Sequence, residues 1–235
     1  MPEDRSAPLA TYNVHGCVGT DGRRDAGRVA AVLGELGAQA VGLQEVDAGY
    51  RGPGGRDQLH VLARATDLHP VDGPTLHSDA GRYGNALLLA APPRAVRRLD
   101  MSIPGREPRG ALDVDVDLDG RPLRLVVTHL GRTSRERRAQ IDALVNHLGA
   151  GNGRPVVLMG DFNEWIPWSR TLHPLVRRLG IAPAVRSFPS WRPMLRLDRI
   201  WASPPAVLTA PWAHRSPLAR RASDHLPVLA GLRRG

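Results

Sequence analysis

Residues 112–129 read Leu-Asp-Val-Asp-Val-Asp-Leu-Asp-Gly-Arg-Pro-Leu-Arg-Leu-Val-Val-Thr-His, and their pattern decides the class of fold. From Leu112 to Leu118 apolar and acidic residues alternate, the period of a strand whose two faces meet different surroundings. Asp119-Gly120 is a hairpin dipeptide, and Leu123 to Thr128 returns as the partner strand. Asp113, Asp115 and Asp117 then share one face. Because the other face supplies the core, these aspartates are expected on a solvated sheet surface, outside any site.

Downstream, Thr133-Ser134-Arg135-Glu136 fits a capping box, and Ile141, Leu144, Val145 and Leu148 continue a helix. Pro155 to Gly160 is a short apolar strand, Leu172 to Leu179 a second helix, and strands are expected near Leu197 to Trp201 and Leu226 to Leu232. Upstream, Leu9 to Val14 reads as a strand. Arg28 to Leu36 has helical spacing at 29, 32, 33 and 36, and Ala40 to Leu43 is a short buried strand. Gly-Pro-Gly-Gly at 52–55 must be a loop. Many strands among a few helices mean an α/β or α+β class with a largely mixed sheet.

The 235 residues, 42% apolar and 23% charged, argue against disorder and coiled coil and fit one domain over 1–235. No apolar run approaches the ~20 residues of a bilayer span. The first ten residues lack a basic start followed by an apolar stretch, so a cytoplasmic protein is expected. Cys17 is the single cysteine, which excludes an intramolecular disulfide and an all-cysteine metal site. All 32 basic residues are arginine, against 23 acids, and a net charge of +9 favours polyanions: nucleic acid, phosphorylated small molecules or anionic lipid. The arginines are scattered in pairs such as Arg97-Arg98 and Arg137-Arg138, most of them expected on solvated surface. No protein partner is signalled. The absence of lysine excludes a P-loop, and no Gly-x-Ser-x-Gly elbow is present.

Costly polar residues collect at six strand ends: Asn13, Glu45, His129, Asp161 with Asn163, Asp198, and Asp224 with His225. Strand ends on a rigid sheet are where reactive side chains are held in place yet stay accessible, so one cleft is expected. Singly, each has a bland reading as a turn cap or a solvated carboxylate. Together they supply the hard oxygen donors that suit Mg²⁺ or Mn²⁺ beside a phosphate; the histidines lack the paired helical spacing of a zinc hydrolase.

The series Thr11-Tyr12-Asn13-Val14-His15-Gly16, Leu43-Gln44-Glu45-Val46, Gly84-Asn85-Ala86-Leu87-Leu88, Thr128-His129-Leu130, Gly160-Asp161-Phe162-Asn163, Leu197-Asp198-Arg199-Ile200-Trp201 and Ser223-Asp224-His225-Leu226-Pro227 resembles the endonuclease/exonuclease/phosphatase (DNase I-like) superfamily. The resemblance runs from about residue 9 to 232. It implies a four-layer α/β sandwich, two mixed sheets face to face with helices outside, and metal-dependent cleavage of phosphate esters. By matching motifs, Glu45 would be the principal metal ligand, with Asn13 nearby and Asp224 supporting the metal region. Asp161 would orient or deprotonate the attacking water, Asn163 would hold a phosphate oxygen, and His225, positioned by Asp198, would contact the scissile phosphate. His129 would be a second phosphate-facing imidazole, and Arg109 and Asn85 would bind substrate. Two positions depart from the pattern. Arg82-Tyr83 stand where DNase-like members often carry a glutamate that orients the histidine matching His129, and His15 replaces an acidic residue of the abasic-site endonucleases, which argues against that branch.

Three functions stay open on these residues: a nuclease, a hydrolase of a lipid head group or small phosphorylated molecule, and a phosphate-binding module without turnover. Trp165, Trp168 and Trp191 flank the motifs and could stack on bases, dip into a lipid interface or merely support loops. Nuclease leads.

Overall fold

A computed structural model describes residues 7–50, 57–149, 153–166 and 169–233; the loop at 52–55 and Trp168 lie outside them. The alternating stretch forms β6 (Gly110–Leu118), hydrogen-bonded antiparallel to β7 (Arg121–His129). Around this hairpin a five-stranded sheet is ordered β5-β6-β7-β8-β9, with β5 at Ala95–Asp100, β8 at Val156–Asp161 and β9 at Asp198–Ser203. Its β7–β8 pair is parallel and the other pairs antiparallel.

The second sheet has six strands in the order β10-β11-β1-β2-β4-β3. These are β1 (Pro8–Asn13), β2 (Ala40–Ala48), β3 (His69–Ser78), β4 (Gly81–Leu89), β10 (Trp212–Ala213) and β11 (Val228–Gly231). Helix α1 (Ala26–Leu36) joins the parallel pair β1 and β2, giving the strand-helix-strand unit expected from the sequence. Its first turn is capped by Asp25, whose carboxylate accepts the Arg28 N–H.

Three apolar layers fill the spaces between four layers of structure. Leu87, Leu89, Leu112, Val114, Val127 and Met159 are among those that pack between the sheets. α1 and α2 (Gln58–Thr66) cover the outer face of the six-stranded sheet through Val29, Leu33 and Leu62. α3 (Ser134–Gly149) and α4 (His173–Leu179) cover the other through Ile141, Leu144 and Leu175. The capping box closes α3: Thr133 N–H donates to Glu136 Oε2 at 2.9 Å, and Glu136 N–H donates to Thr133 Oγ1 at 3.3 Å. The molecule is therefore the four-layer α/β sandwich that the motif series implies. Among the described residues no helix is long and apolar enough to cross a membrane.

One expectation fails on this architecture. Most of the aspartate face of β6 is not solvated: Asp113 is 0% and Asp115 6% exposed, because the layer carrying α3 lies over them, while the Asp117 side chain is 33% exposed. Both carboxylates accept from Arg97, Asp113 also from Arg124, and His147 of α3 lies 2.6 Å from Asp113. Alternation reports two different faces, and here the second difference is apolar core against buried ion pairs. Arg137 departs likewise from the solvated surface expected for most arginines: it is 2% exposed and donates to Glu164 at 3.2 Å.

Candidate active site

Strand register builds the site. In the five-stranded sheet His129 of β7 is paired with Asp161 of β8, and Asp161 with Asp198 of β9, so three residues distant in sequence stand side by side. The β7–β8 approach requires Gly160: at φ +152° a Cβ there would fall 1.9 Å from the Thr128 carbonyl oxygen. In the other sheet Asn13 ends β1 beside β2, and the β2–β4 register shifts between Leu43 and Val46. Glu45 sits in that bulge at φ +60°, a strained conformation for a residue with a side chain.

Asn13 joins the two sheets. Its Nδ2 donates to Glu45 Oε1 at 3.0 Å and to Asp161 Oδ2 at 3.1 Å. Tyr83, in β4, donates its hydroxyl to Glu45 Oε2 at 2.6 Å. Burial opposes the Glu45 charge, but a charged His129 and the donors Tyr83 and Asn13 override it and hold the carboxyl down at about 2. Burial pushes His129 below the ordinary imidazole value, with Arg109 and His225 acting in the same direction and Asp161 and Glu45 against it.

Asp161 Oδ2 lies 3.5 Å from Nε2 of His129 and 3.7 Å from Nε2 of His225, while Asp161 Oδ1 accepts the Asn163 N–H at 2.8 Å. Asn163 Nδ2 in turn contacts His129 Nε2 at 3.0 Å and donates to the Leu130 carbonyl at 2.9 Å. On the far side, His225 Nδ1 donates to Asp198 Oδ2 at 2.9 Å, the Ser187 hydroxyl donates to the same oxygen, and the Phe188 ring lies 4.8 Å from the imidazole. Burial works to lower the basicity of His225, but the carboxylates of Asp198, Asp161 and Asp224 outweigh it and lift it to about 10. Burial therefore works against the charged form of His129, whereas neighbouring carboxylates favour the charged form of His225.

These groups open on a hollow of about 570 Å³ lined also by His15, Arg109, Arg132 and Trp165. Asp224, 37% exposed at its side chain, stands 3.8 Å from His15 Nδ1. Of the residues picked from the sequence, Glu45, Arg109, His129, Asp161, Asn163, Asp224 and His225 line this hollow, while Asn13 and Asp198, both buried, stand behind it, Asn13 bonded to Glu45 and Asp161 and Asp198 to His225. Asn85 does not face the hollow: it donates to the Gly110 carbonyl at 3.0 Å, anchoring the backbone next to Arg109. Trp165 is 57% exposed on the cleft wall, whereas Trp191, 62% exposed, is not one of the residues lining the hollow. Sequence reasoning missed Tyr83, Ser187, Phe188 and Glu107. Of these only Tyr83 carried a signal, its place directly before Gly84-Asn85.

The donor set fits a hard divalent cation. Glu45, held charged by His129, Tyr83 and Asn13, and Asp224 put two carboxylates at the mouth of the hollow, and carboxylate oxygens are the donors that hard divalent cations take. Asp161, Asp198 and His225 also present ligand atoms within 4.8 Å of one another; His225 Nδ1 is engaged with Asp198 Oδ2, while Asp198 Oδ1 is buried without a hydrogen-bond partner among the described residues.

A family model described as the Endonuclease/Exonuclease/phosphatase family matches residues 10–225. The uncharacterized protein YbhP of Escherichia coli K12 is 35% identical over 164 residues, which cover 64% of this chain and 62% of that relative, under two thirds of its length. A solved endonuclease/exonuclease/phosphatase from Beutenbergia cavernae superposes with a TM-score of 0.78 at 26% identity, over 98% of this chain and 72% of the other. The mannosyl-6-phosphatase Bt3783 of Bacteroides thetaiotaomicron superposes at 0.71 with 19% identity, over 97% and 100%, a likeness of fold.

Proposed function

Because the chain belongs to the endonuclease/exonuclease/phosphatase family, we propose that it is a divalent-metal-dependent phosphoesterase that hydrolyses phosphate esters by in-line attack of water, nucleic-acid phosphodiesters foremost. The observation that carries this reading is the position of Asp161, whose Oδ2 has Asn13, His129 and His225 around it where the two sheets meet. A carboxylate so placed can take a proton from water. Two imidazoles and the Asn163 amide surround the space where charge would build on the nonbridging oxygens of phosphorus.

In this reading Glu45, with Asn13 and Asp224, holds Mg²⁺ or Mn²⁺, which when bound supplies positive charge to a phosphate oxygen. Asp161 orients the attacking water and accepts its proton. The imidazolium of His225, kept charged by Asp198, donates to the phosphate, and His129 and Asn163 line the same space. Fixed donors of this kind each contribute several kcal/mol to stabilising the transition state, because no reorganisation is needed as charge develops. The exposed face of Trp165 beside Arg109 and Arg132 supports nucleic acid as substrate, since aromatic faces and arginines stack on unpaired bases. A second reading, hydrolysis of a lipid phosphoester at a membrane surface, draws on Trp191 and Met194, 62% and 54% exposed on the loop that carries Phe188.

A turnover panel of single- and double-stranded DNA, RNA, phospholipids and inositol phosphates with Mg²⁺ or Mn²⁺ tests the proposal. Turnover of at least one ester, abolished by chelation and largely lost in Glu45→Gln, Asp161→Asn and His225→Ala with the fold intact, is expected. Wild-type turnover in any two of these variants overturns the roles. DNA affinity that falls steeply with salt selects nucleic acid; salt-insensitive turnover of dispersed lipid selects the second reading.

A further inference from the structure

We propose that the buried pair of Arg137 and Glu164 is a positioning strut for the reaction. It sets the spacing between the loop that follows His129 and the loop that follows Asp161, and so holds His129, Asn163, Arg132 and Trp165 in place around the cleft. What the strut serves rests on the phosphoesterase reading; the strut itself rests on the packing of α3 against the two loops.

The two loops leave the parallel neighbours β7 and β8 and are tied together at their roots. Leu130 N–H donates to the Asp161 carbonyl at 2.9 Å, and Asn163 Nδ2 donates to the Leu130 carbonyl at 2.9 Å. One step further out strand pairing has ended, and side chains of α3 take over. Arg137 Nη1 donates to the Arg132 carbonyl at 2.7 Å, and Gln140 Oε1 accepts the Gly131 N–H at 2.7 Å. Across the gap, Arg137 Nη2 donates to Glu164 Oε2 at 3.2 Å. Glu164 then organises its own loop: Oε1 accepts the Ile166 N–H at 3.1 Å, and Oε2 accepts the Ser169 hydroxyl at 2.7 Å. One guanidinium thus joins the loop carrying Arg132 to the loop carrying Trp165, and both of those residues line the hollow.

Arg137 and Glu164 are each 2% exposed. A buried ion pair is a poor way to gain stability, because the desolvation of two charges offsets their attraction, and apolar side chains of similar volume often do as well or better. This pair is also incompletely matched, since Arg137 Nε is buried without a partner among the described residues. What an apolar pair cannot supply is the directed contacts to Arg132, Ile166 and Ser169. The distinguishing contribution of the pair is therefore geometry. In a catalytic cleft that matters, because a misplacement of about 1 Å can cost about a hundredfold in rate.

Arg137→Met combined with Glu164→Leu separates positioning from stability. The double variant is expected to keep the wild-type denaturant midpoint or exceed it. Amide hydrogen exchange at residues 130–133 and 162–166 should speed up at least about tenfold, with that of β6 unchanged. On the ester that the wild type turns over best, kcat per folded molecule is expected to fall about ten- to hundredfold. A merely structural pair would leave that kcat untouched. If the double variant does not fold, Arg137→Lys replaces it: one ammonium serves the carboxylate or the Arg132 carbonyl but not both, so exchange and kcat must move the same way by smaller factors. Unchanged exchange in the two loops, or wild-type kcat per folded molecule while the loops exchange faster, overturns the proposal. Exchange needs no substrate, so a wild type that cleaves no ester overturns the phosphoesterase reading alone, and the exchange result still decides whether the pair holds the loops.

Discussion

His225 Nδ1 lies 2.9 Å from Asp198 Oδ2, and both side chains are buried, at 4% and 0% exposure. Burial disfavours a lone imidazolium, yet Asp198 and its acidic neighbours raise His225 to about 10. The donor form is therefore present at neutral pH and is lost only as pH rises through that value. The stability linked to it has the same sign: it is full below the unfolded imidazole value of about 6.5 and fades as pH climbs through the folded one. Asp198→Asn removes the neighbouring charge, so the high-pH limb of kcat/KM should move down by at least about two pH units. A limb that stays in place would separate the His225 charge from the reaction.

Tyr83 donates to Glu45 Oε2 at 2.6 Å, and a hydrogen bond to a charged group is worth about 1.5–3 kcal/mol. Tyr83→Phe leaves the ring and removes the donor, so the carboxylate loses part of what holds it charged and aimed. The metal concentration for half-maximal turnover should rise roughly tenfold or more by that figure, with kcat at saturating metal nearly kept. Titrating Mn²⁺ against both turnover and thermal stability checks this; unchanged metal dependence in both would leave Asn13 as the group that sets Glu45.

Much of this cleft is legible in residue order because each polar group ends a strand whose apolar period is local. Asn13 follows the run from Leu9, Asp161 follows Val156 to Gly160, and Thr133 with Glu136 announces α3 within four residues. What escapes depends on partners far away in the chain. The bulge that turns Glu45 into the cleft exists only in the pairing of β2 with β4, and Glu45 at φ +60° breaks the local preference of its own residue type. Asp113 reads as solvated because nothing within the hairpin announces the helix that covers it. Arg137 reads as surface because its partner Glu164 lies 27 positions on.

The Asp113 cluster should govern acid stability. Burial opposes its charge, but hydrogen bonds from Arg97, Arg124 and His147 hold its carboxyl at about 2. A depressed folded value contributes stability above the unfolded carboxylate range of about 4, and that stability is lost as pH falls towards 2. Asp113→Asn leaves Arg124, 3% exposed, without its carboxylate, and should cost about 3–5 kcal/mol at neutral pH while flattening the acid slope. Urea unfolding at several pH values measures both. An unchanged slope would place the acid sensitivity elsewhere.

Gly160 ties the scaffold to the chemistry, because the residue after it is Asp161 and the carbonyl it packs against belongs to Thr128, the residue before His129. At φ +152° the position already disfavours a side chain, and a Cβ would stand 1.9 Å from that carbonyl oxygen, far inside contact distance. The flexible end of a side chain could move aside, but the neighbour of Gly160 is backbone in a paired strand, so Gly160→Ala must part β7 from β8. The cost should be at least about 2–3 kcal/mol, the range for forced backbone strain and overpacking. Separation of the strands would also shift Asp161 relative to His129, now 3.5 Å apart, so turnover of the folded fraction should fall more than stability alone explains. Denaturation and turnover measured on one preparation keep the two effects distinct. Wild-type turnover in a destabilised Gly160→Ala protein would mean that the cleft tolerates a shift in its central carboxylate, contrary to the proposed role of Asp161 in positioning and deprotonating water.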